Sequence, residues 1–295
     1  MSAIPYSLIL QQGPMMRAFA RVVARELIPG LRSSTNPVEF EVLRRTVKAP
    51  DNTLVERYIQ WSGAEHNLYQ DKLPAHLFAY YGLPLITQSL LRTRYRISSA
   101  INQGCDIRVN RLLERGRDIH LQLEIKDIRE AEGRARVHGQ FVMGHSPGQD
   151  HLVIDVYIAF IIGQSRESKK PGSGISDSDI ELVSSWDVSG DDGLYFAFLT
   201  GDFNPIHWAT PVAKRSVFKG KVLHGYGMMA KCYEAIQNHE GRLIKSLRVK
   251  FLKPVFLPSK NNKVFRSAVL QTDERRGLIL KDAGGQMLMV GDYVS

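Results

Sequence analysis

The sequence predicts an α+β protein made of two units of one plan, a helix followed by antiparallel strands. Three observations carry that prediction. Residues 73–91 are strongly apolar over a helix's length, and the segments after them alternate apolar and polar residues between turn signals. The same order returns late in the chain, with a helix over 224–237 and four strands behind it. Between the two lies QSRESKKPGSGISDSD, residues 164–179, polar and interrupted by Gly, Ser and Pro, which reads as a linker.

Residues 1–37 form an extension. Within it 12–27 is an amphipathic helix, with Met15, Met16, Phe19, Val22, Val23 and Leu27 near one side and Arg17, Arg21 and Arg25 on another. It is too short and charged to span a membrane, and it lacks the apolar core and cleavage site of a signal peptide. It is expected to pack on the first unit, with a partner or an anionic membrane surface as the alternative contact.

The first unit spans 38–163. Residues 38–42 and 55–61 read as strands. Pro84 should kink or start the helix over 73–91. Strands follow over 94–99, 107–113, 118–128, 134–143 and 151–163, with turns at 102–104, 114–116 and 130–133. The second unit, 180–295, has a loop, the helix, then strands over 244–255, 263–270, 277–282 and 286–293. The junctions correspond too. His76-Leu77-Phe78 opens one helix where His224-Gly225-Tyr226 opens the other, and each leads to a basic alternating stretch, at 94–97 and 248–251. An internal duplication accounts for this.

The chain has 295 residues, ordinary globular composition and a formal charge of +9. That charge suits an anionic partner, and no nucleic-acid-binding motif accompanies it, so nucleic acid is not the expected one. Cys105 and Cys232 make no disulfide framework and fit a reducing, cytoplasmic setting.

The chemistry concentrates in 196–226, FAFLTGDFNPIHWATPVAKRSVFKGKVLHGY. Asp202, Asn204 and His207 fall within six residues around Pro205. Pro205 disfavours a helix at Asn204, so 201–205 should turn and bring a carboxylate and an imidazole into one space. Such a pair serves as general base and general acid near neutral pH, with the Asn204 amide orienting a partner or a water. Gly225 stands where a loop enters a helix, and a free N–H there can polarise a carbonyl oxygen. Lys214, Arg215, Lys219 and Lys221 lie between these points as a candidate landing site for phosphates, with Lys219 and Lys221 the foremost contacts. His207 and His224 are separated by a helix and a loop, so no metal-ligand spacing is seen.

Phe196, Leu199, Thr200, Gly201, Asp202, Asn204, Pro205, Ile206, His207 and Ala213 resemble the signature of the (R)-specific enoyl-CoA hydratases, the MaoC-like or hydratase 2 family. The later 223–225 and 247–255 are similar as well. The resemblance is specific over roughly 180–258 and architectural over 38–163. It implies a double hotdog fold, two long helices each wrapped by an antiparallel sheet, forming a pseudo-dimer within one chain. The degenerate first half, which lacks Asp-x-Asn-Pro-x-His, would accommodate the acyl chain.

The activity implied is reversible hydration of a trans-2-enoyl thioester to the (R)-3-hydroxyacyl thioester, with Asp202 and His207 activating water and Gly225 holding the carbonyl. Implied partners are acyl-CoA or acyl-carrier-protein thioesters and a possible second copy as homodimer. No cofactor is implied beyond the coenzyme A or phosphopantetheine of the substrate. A carrier-dependent dehydratase subunit and a non-catalytic acyl-binding or assembly protein are the alternatives. Two positions depart from the family: Ala209-Thr210 replace a common acidic residue, and Tyr233 on the helix is expected to narrow the acyl pocket.

Overall fold

The computed structural model describes residues 4–28, 30–37, 39–163, 179–270 and 274–295. Most of the expected linker, 164–178, lies outside the described residues. The strands form a ten-stranded antiparallel sheet in the order β1-β3-β4-β5-β2-β7-β10-β9-β8-β6. The first half comprises β1 (Leu43–Val47), β2 (Ile101–Val109), β3 (Ile119–Ala131), β4 (Arg134–Gly144) and β5 (Leu152–Ile161). The second comprises β6 (Ile180–Val188), β7 (Ser246–Phe251), β8 (Ser259–Leu270), β9 (Arg276–Lys281) and β10 (Met287–Val294).

The order reads alike outward from the seam between β2 and β7, where Cys105 faces Val249 and Ile107 faces Leu247. Each half-sheet therefore has its counterpart across a pseudo-twofold. Two helices, α3 (Phe78–Leu90) and α6 (Gly225–Glu240), lie along the buried face of the sheet. This is the double hotdog that the family resemblance implies.

Several elements differ from expectation. Residues 55–61 are not a strand but part of helix α2 (Asn52–Ser62). The Asp51 carboxylate accepts the Thr53 N–H at 2.7 Å and Gly63 closes the helix in the left-handed region. Leu54, Val55, Tyr58 and Ile59 are buried at helical spacing. The first strand starts at Leu43 rather than 38. Residues 94–99 are a turn with a 3-10 segment at Ile97–Ser99, and the counterpart of β7 is β2. The turn expected at 102–104 is a bulge within β2.

The extension supplies helix α1 (Gly13–Leu27), which packs on α3 as expected. Only part of the anticipated stripe is inside. Met15 and Val22 are buried, whereas Met16, Val23 and Leu27 are exposed. Arg25 is not on a solvated face: its buried guanidinium donates to the carbonyls of Thr93 and Tyr95, closing the end of α3. Among the described residues no helix is long and apolar enough to cross a membrane.

A polar network joins the halves. His76 Nε2 lies 2.5 Å from Glu234 Oε1, and both side chains are fully buried. Glu234 also accepts from Tyr69 Oη at 2.8 Å and from Gln237 Nε2 at 3.0 Å. The Tyr58 hydroxyl sits 2.9 Å from His76 Nδ1. Burial and the Glu234 charge push both tyrosine pKa values well up. His76, the positional counterpart of His224, is thus a joint between the halves.

Candidate active site

The site begins where helix α4 (Asp192–Thr200) ends. Gly201 takes φ +83, which an L side chain resists, and its N–H closes onto Ala197 O at 2.7 Å. The chain then turns. The Asp202 carboxylate accepts the Asn204 N–H, and the Asn204 side chain caps a 3-10 turn over Pro205–His207. Helix α5 (Thr210–Arg215) follows, and 216–224 returns the chain to the start of α6.

His207 is buried and hydrogen-bonded through Nδ1 to Val222 O at 2.7 Å. A carbonyl only accepts, so Nδ1 carries the proton and Nε2 is the basic nitrogen. The backbone of α4 fixes the far side of this residue: a Cβ at Gly193 would lie 2.0 Å from His207 O. The sequence reading did not single out Gly193, since close backbone approach leaves no trace but a glycine.

His224 lies against His207, ring centroids 3.5 Å apart and 25° between planes. This corrects the expectation that the two histidines stand apart. A carboxylate oxygen of Asp202 and one ring nitrogen of each histidine fall within 4.8 Å of one another. These groups are of the types that hold a metal ion, and His207 Nδ1 is already bonded to Val222 O. His224 Nε2 donates to Asp202 O at 2.9 Å, and His224 Nδ1 is buried without a partner among the described residues. His224 thus holds the Asp202 turn and supports the His207 ring.

Burial lowers the pKa of both histidines. For His224 the His207 charge adds to this, whereas for His207 the Asp202 carboxylate and the Val222 carbonyl pull upward. Each therefore takes up its proton at lower pH in the fold than in the unfolded chain, where histidine titrates near 6.5. The stability this gives is full above about pH 6.5 and is lost as pH falls. The loss is about 1.4 kcal/mol per pH unit for each histidine protonated only in the unfolded chain. Urea unfolding between about pH 7.5 and about pH 5 should show this slope, and His224→Gln should make it shallower. Equal slopes would refute the contribution of His224.

Asp202, Asn204, His207 and Gly225 all line one cavity of about 650 Å³. Gly225 is the first residue of α6, where the N–H has no intrahelical acceptor. A Cβ there would lie 2.7 Å from the Phe251 ring, so the chain has room only for glycine. Away from these groups the wall is apolar and comes from both halves: Phe78 and Ile86 of α3, Phe141 of β4 and Ile158 of β5 on one side, Met228 of α6 and Phe251 of β7 on the other.

Two expected contacts are not brought in. Lys219 is exposed, Lys221 Nζ donates to Gly190 O at 2.6 Å, and neither lines the cavity. Arg215 and Lys253 do line it. Tyr233 is not in the wall either: its hydroxyl donates to Ile244 O in the core.

Residues 175–271 match the family model of the MaoC like domain. No curated protein sequence matches the chain. Several solved structures share the fold. HtdX of Mycobacterium tuberculosis aligns with TM-score 0.67 and 17% identity over 85% of this chain and 99% of its own. A MaoC-like dehydratase aligns with TM-score 0.68 and 14% identity over 85% and 96%. The full-length peroxisomal multifunctional enzyme type 2 of Drosophila melanogaster gives 0.63 and 15%, over 86% of this chain and 48% of that one.

Proposed function

Residues 175–271 are a MaoC-like dehydratase domain, and on that premise we propose that the protein reversibly hydrates trans-2-enoyl thioesters to (R)-3-hydroxyacyl thioesters. The observation that carries this reading is that Asp202, His207 and Gly225, whose N–H has no helical acceptor, all line one largely apolar cavity. Asp202 and the basic Nε2 of His207 hold a water between them. The pair takes a proton from that water as its oxygen bonds to the β-carbon. Electrons of the double bond move toward the thioester carbonyl, whose oxygen is met by the Gly225 N–H. The pair then returns a proton to the α-carbon on the same face, so the elements of water add and nothing is oxidised or reduced.

The Gly225 donor sits in place before charge develops, and such a contact is worth about 3 kcal/mol of barrier. Asn204 keeps the turn in register. This chemistry calls for no metal and for no cofactor beyond the thiol carrier. The basic Arg215 and Lys253 suit the phosphate of a coenzyme A or phosphopantetheine arm. A binding protein without catalysis has no use for a base, an acid and a carbonyl donor at one point.

Loss of the enoyl absorbance of crotonyl-CoA, with chiral analysis of the alcohol, tests the proposal, and the same assay on a carrier-bound enoyl thioester tests the carrier. The (R)-alcohol is expected. The (S)-alcohol, or hydrolysis of the thioester, would overturn the reading.

A further inference from the structure

We propose that helix α1 is the length gauge of the cavity, with Phe19 the residue that sets how long an acyl chain fits. The proposal rests on the acyl-thioester reading above. Met15, Phe19, Val22, Val23 and Glu26 of α1 all line the cavity, so the extension supplies a wall to a pocket otherwise made by the two halves.

The wall is tied at both ends. At its start, Gln12 Nε2 donates to Phe198 O at 2.8 Å, and Met15 packs so closely on Gly201 that a Cβ there would lie 2.8 Å from Met15 Cβ. Gly201 adjoins the catalytic Asp202, so Met15 marks the reacting end. At the far end the Arg25 guanidinium donates to the carbonyls of Thr93 and Tyr95, and the Glu26 carboxylate accepts the Ser98 N–H at 2.8 Å. From Met15 to Glu26 the helix rises about 16 Å. It therefore runs along the cavity from the catalytic turn to a more polar, solvent-facing end at Glu26 and Ser98.

Phe19 lies one turn beyond Met15, half-buried, in the lining of the same cavity. A phenyl ring there has two rotatable bonds and cannot fold away as a methionine could. Anchored to both halves, α1 holds that ring at a fixed distance from the catalytic turn. A helix that merely buttressed the fold would affect all chain lengths alike.

The test is calorimetric binding of saturated butyryl-CoA and lauroyl-CoA, which lack the double bond and are not turned over. Phe19→Trp is expected to lower the lauroyl-to-butyryl affinity ratio at least tenfold, and Phe19→Ala to raise it. Should Phe19→Trp not fold, by its thermal midpoint, Val23→Trp on the same wall is expected to lower the ratio in the same direction. A ratio that neither bulky variant moves, or equal shifts for both ligands, would overturn the proposal. Wild-type protein that binds neither ligand would overturn the acyl-thioester reading itself, and the gauge with it.

Discussion

Asp202→Asn is expected to lower kcat about a thousandfold with little change in KM, the scale of a lost acid–base group. The variant is chosen because the amide keeps an oxygen where Asp202 Oδ1 now accepts the Asn204 N–H at 3.3 Å, so the turn survives. What disappears is the charge. The amide matches the carboxylate in size, so the cavity that Asp202 lines keeps its shape and substrate affinity has little reason to change. The charge also holds up the His207 pKa against its burial, so in the variant the His207 titration should move further down. Proton NMR of the imidazoles reads that shift without reference to turnover. A variant retaining a tenth of wild-type kcat would sink the assignment of Asp202, and a His207 titration that stays put would remove the coupling of the pair.

Breaking the joint between the halves should have the largest effect on stability. His76→Ala or Glu234→Ala leaves a fully buried partner with its hydrogen-bonding groups unmet, at a cost of about 3–5 kcal/mol. Glu234 is the more sensitive site, since it accepts from His76, Tyr69 and Gln237 together. The double change His76→Phe with Glu234→Leu removes both polar groups and refills the space, and it should cost much less than the sum of the single changes. Urea unfolding of the double variant and of the matching single variants, His76→Phe and Glu234→Leu, provides the cycle. Single changes below about 1 kcal/mol, or strict additivity, would mean that the pair contributes nothing specific.

The sequence made the architecture legible because each helix is a long apolar segment and most strands alternate. It failed where tertiary contacts decide. Residues 55–61 are rich in branched and aromatic side chains and look like a strand, although Asp51 and Gly63 already mark a helix's ends. Residues 94–97 alternate like a strand but are held as a turn by Arg25 and by the Asn36 side chain, which accepts the Arg94 N–H, both distant in sequence. Helix α4 is buried on nearly every side, so it has no amphipathic signal to read.

The site divides in the same way. Asp202, Asn204, His207 and Gly225 declare themselves by type and spacing. The stacking of His224 on His207, the support of Gly193 and the place of α1 in the cavity wall depend on long-range geometry. The basic residues show the limit most clearly: charge marked Lys214, Arg215, Lys219 and Lys221 alike, and of these four Arg215 lines the cavity, together with Lys253.

The seam between β2 and β7 has a kinetic meaning as well. Both of its strands belong to one polypeptide, so they meet at a high effective concentration whatever the amount of protein present. An arrangement of two separate chains would come apart on dilution, and its specific activity would fall with it. Here mass action has no hold on the seam, and dilution alone does not open it.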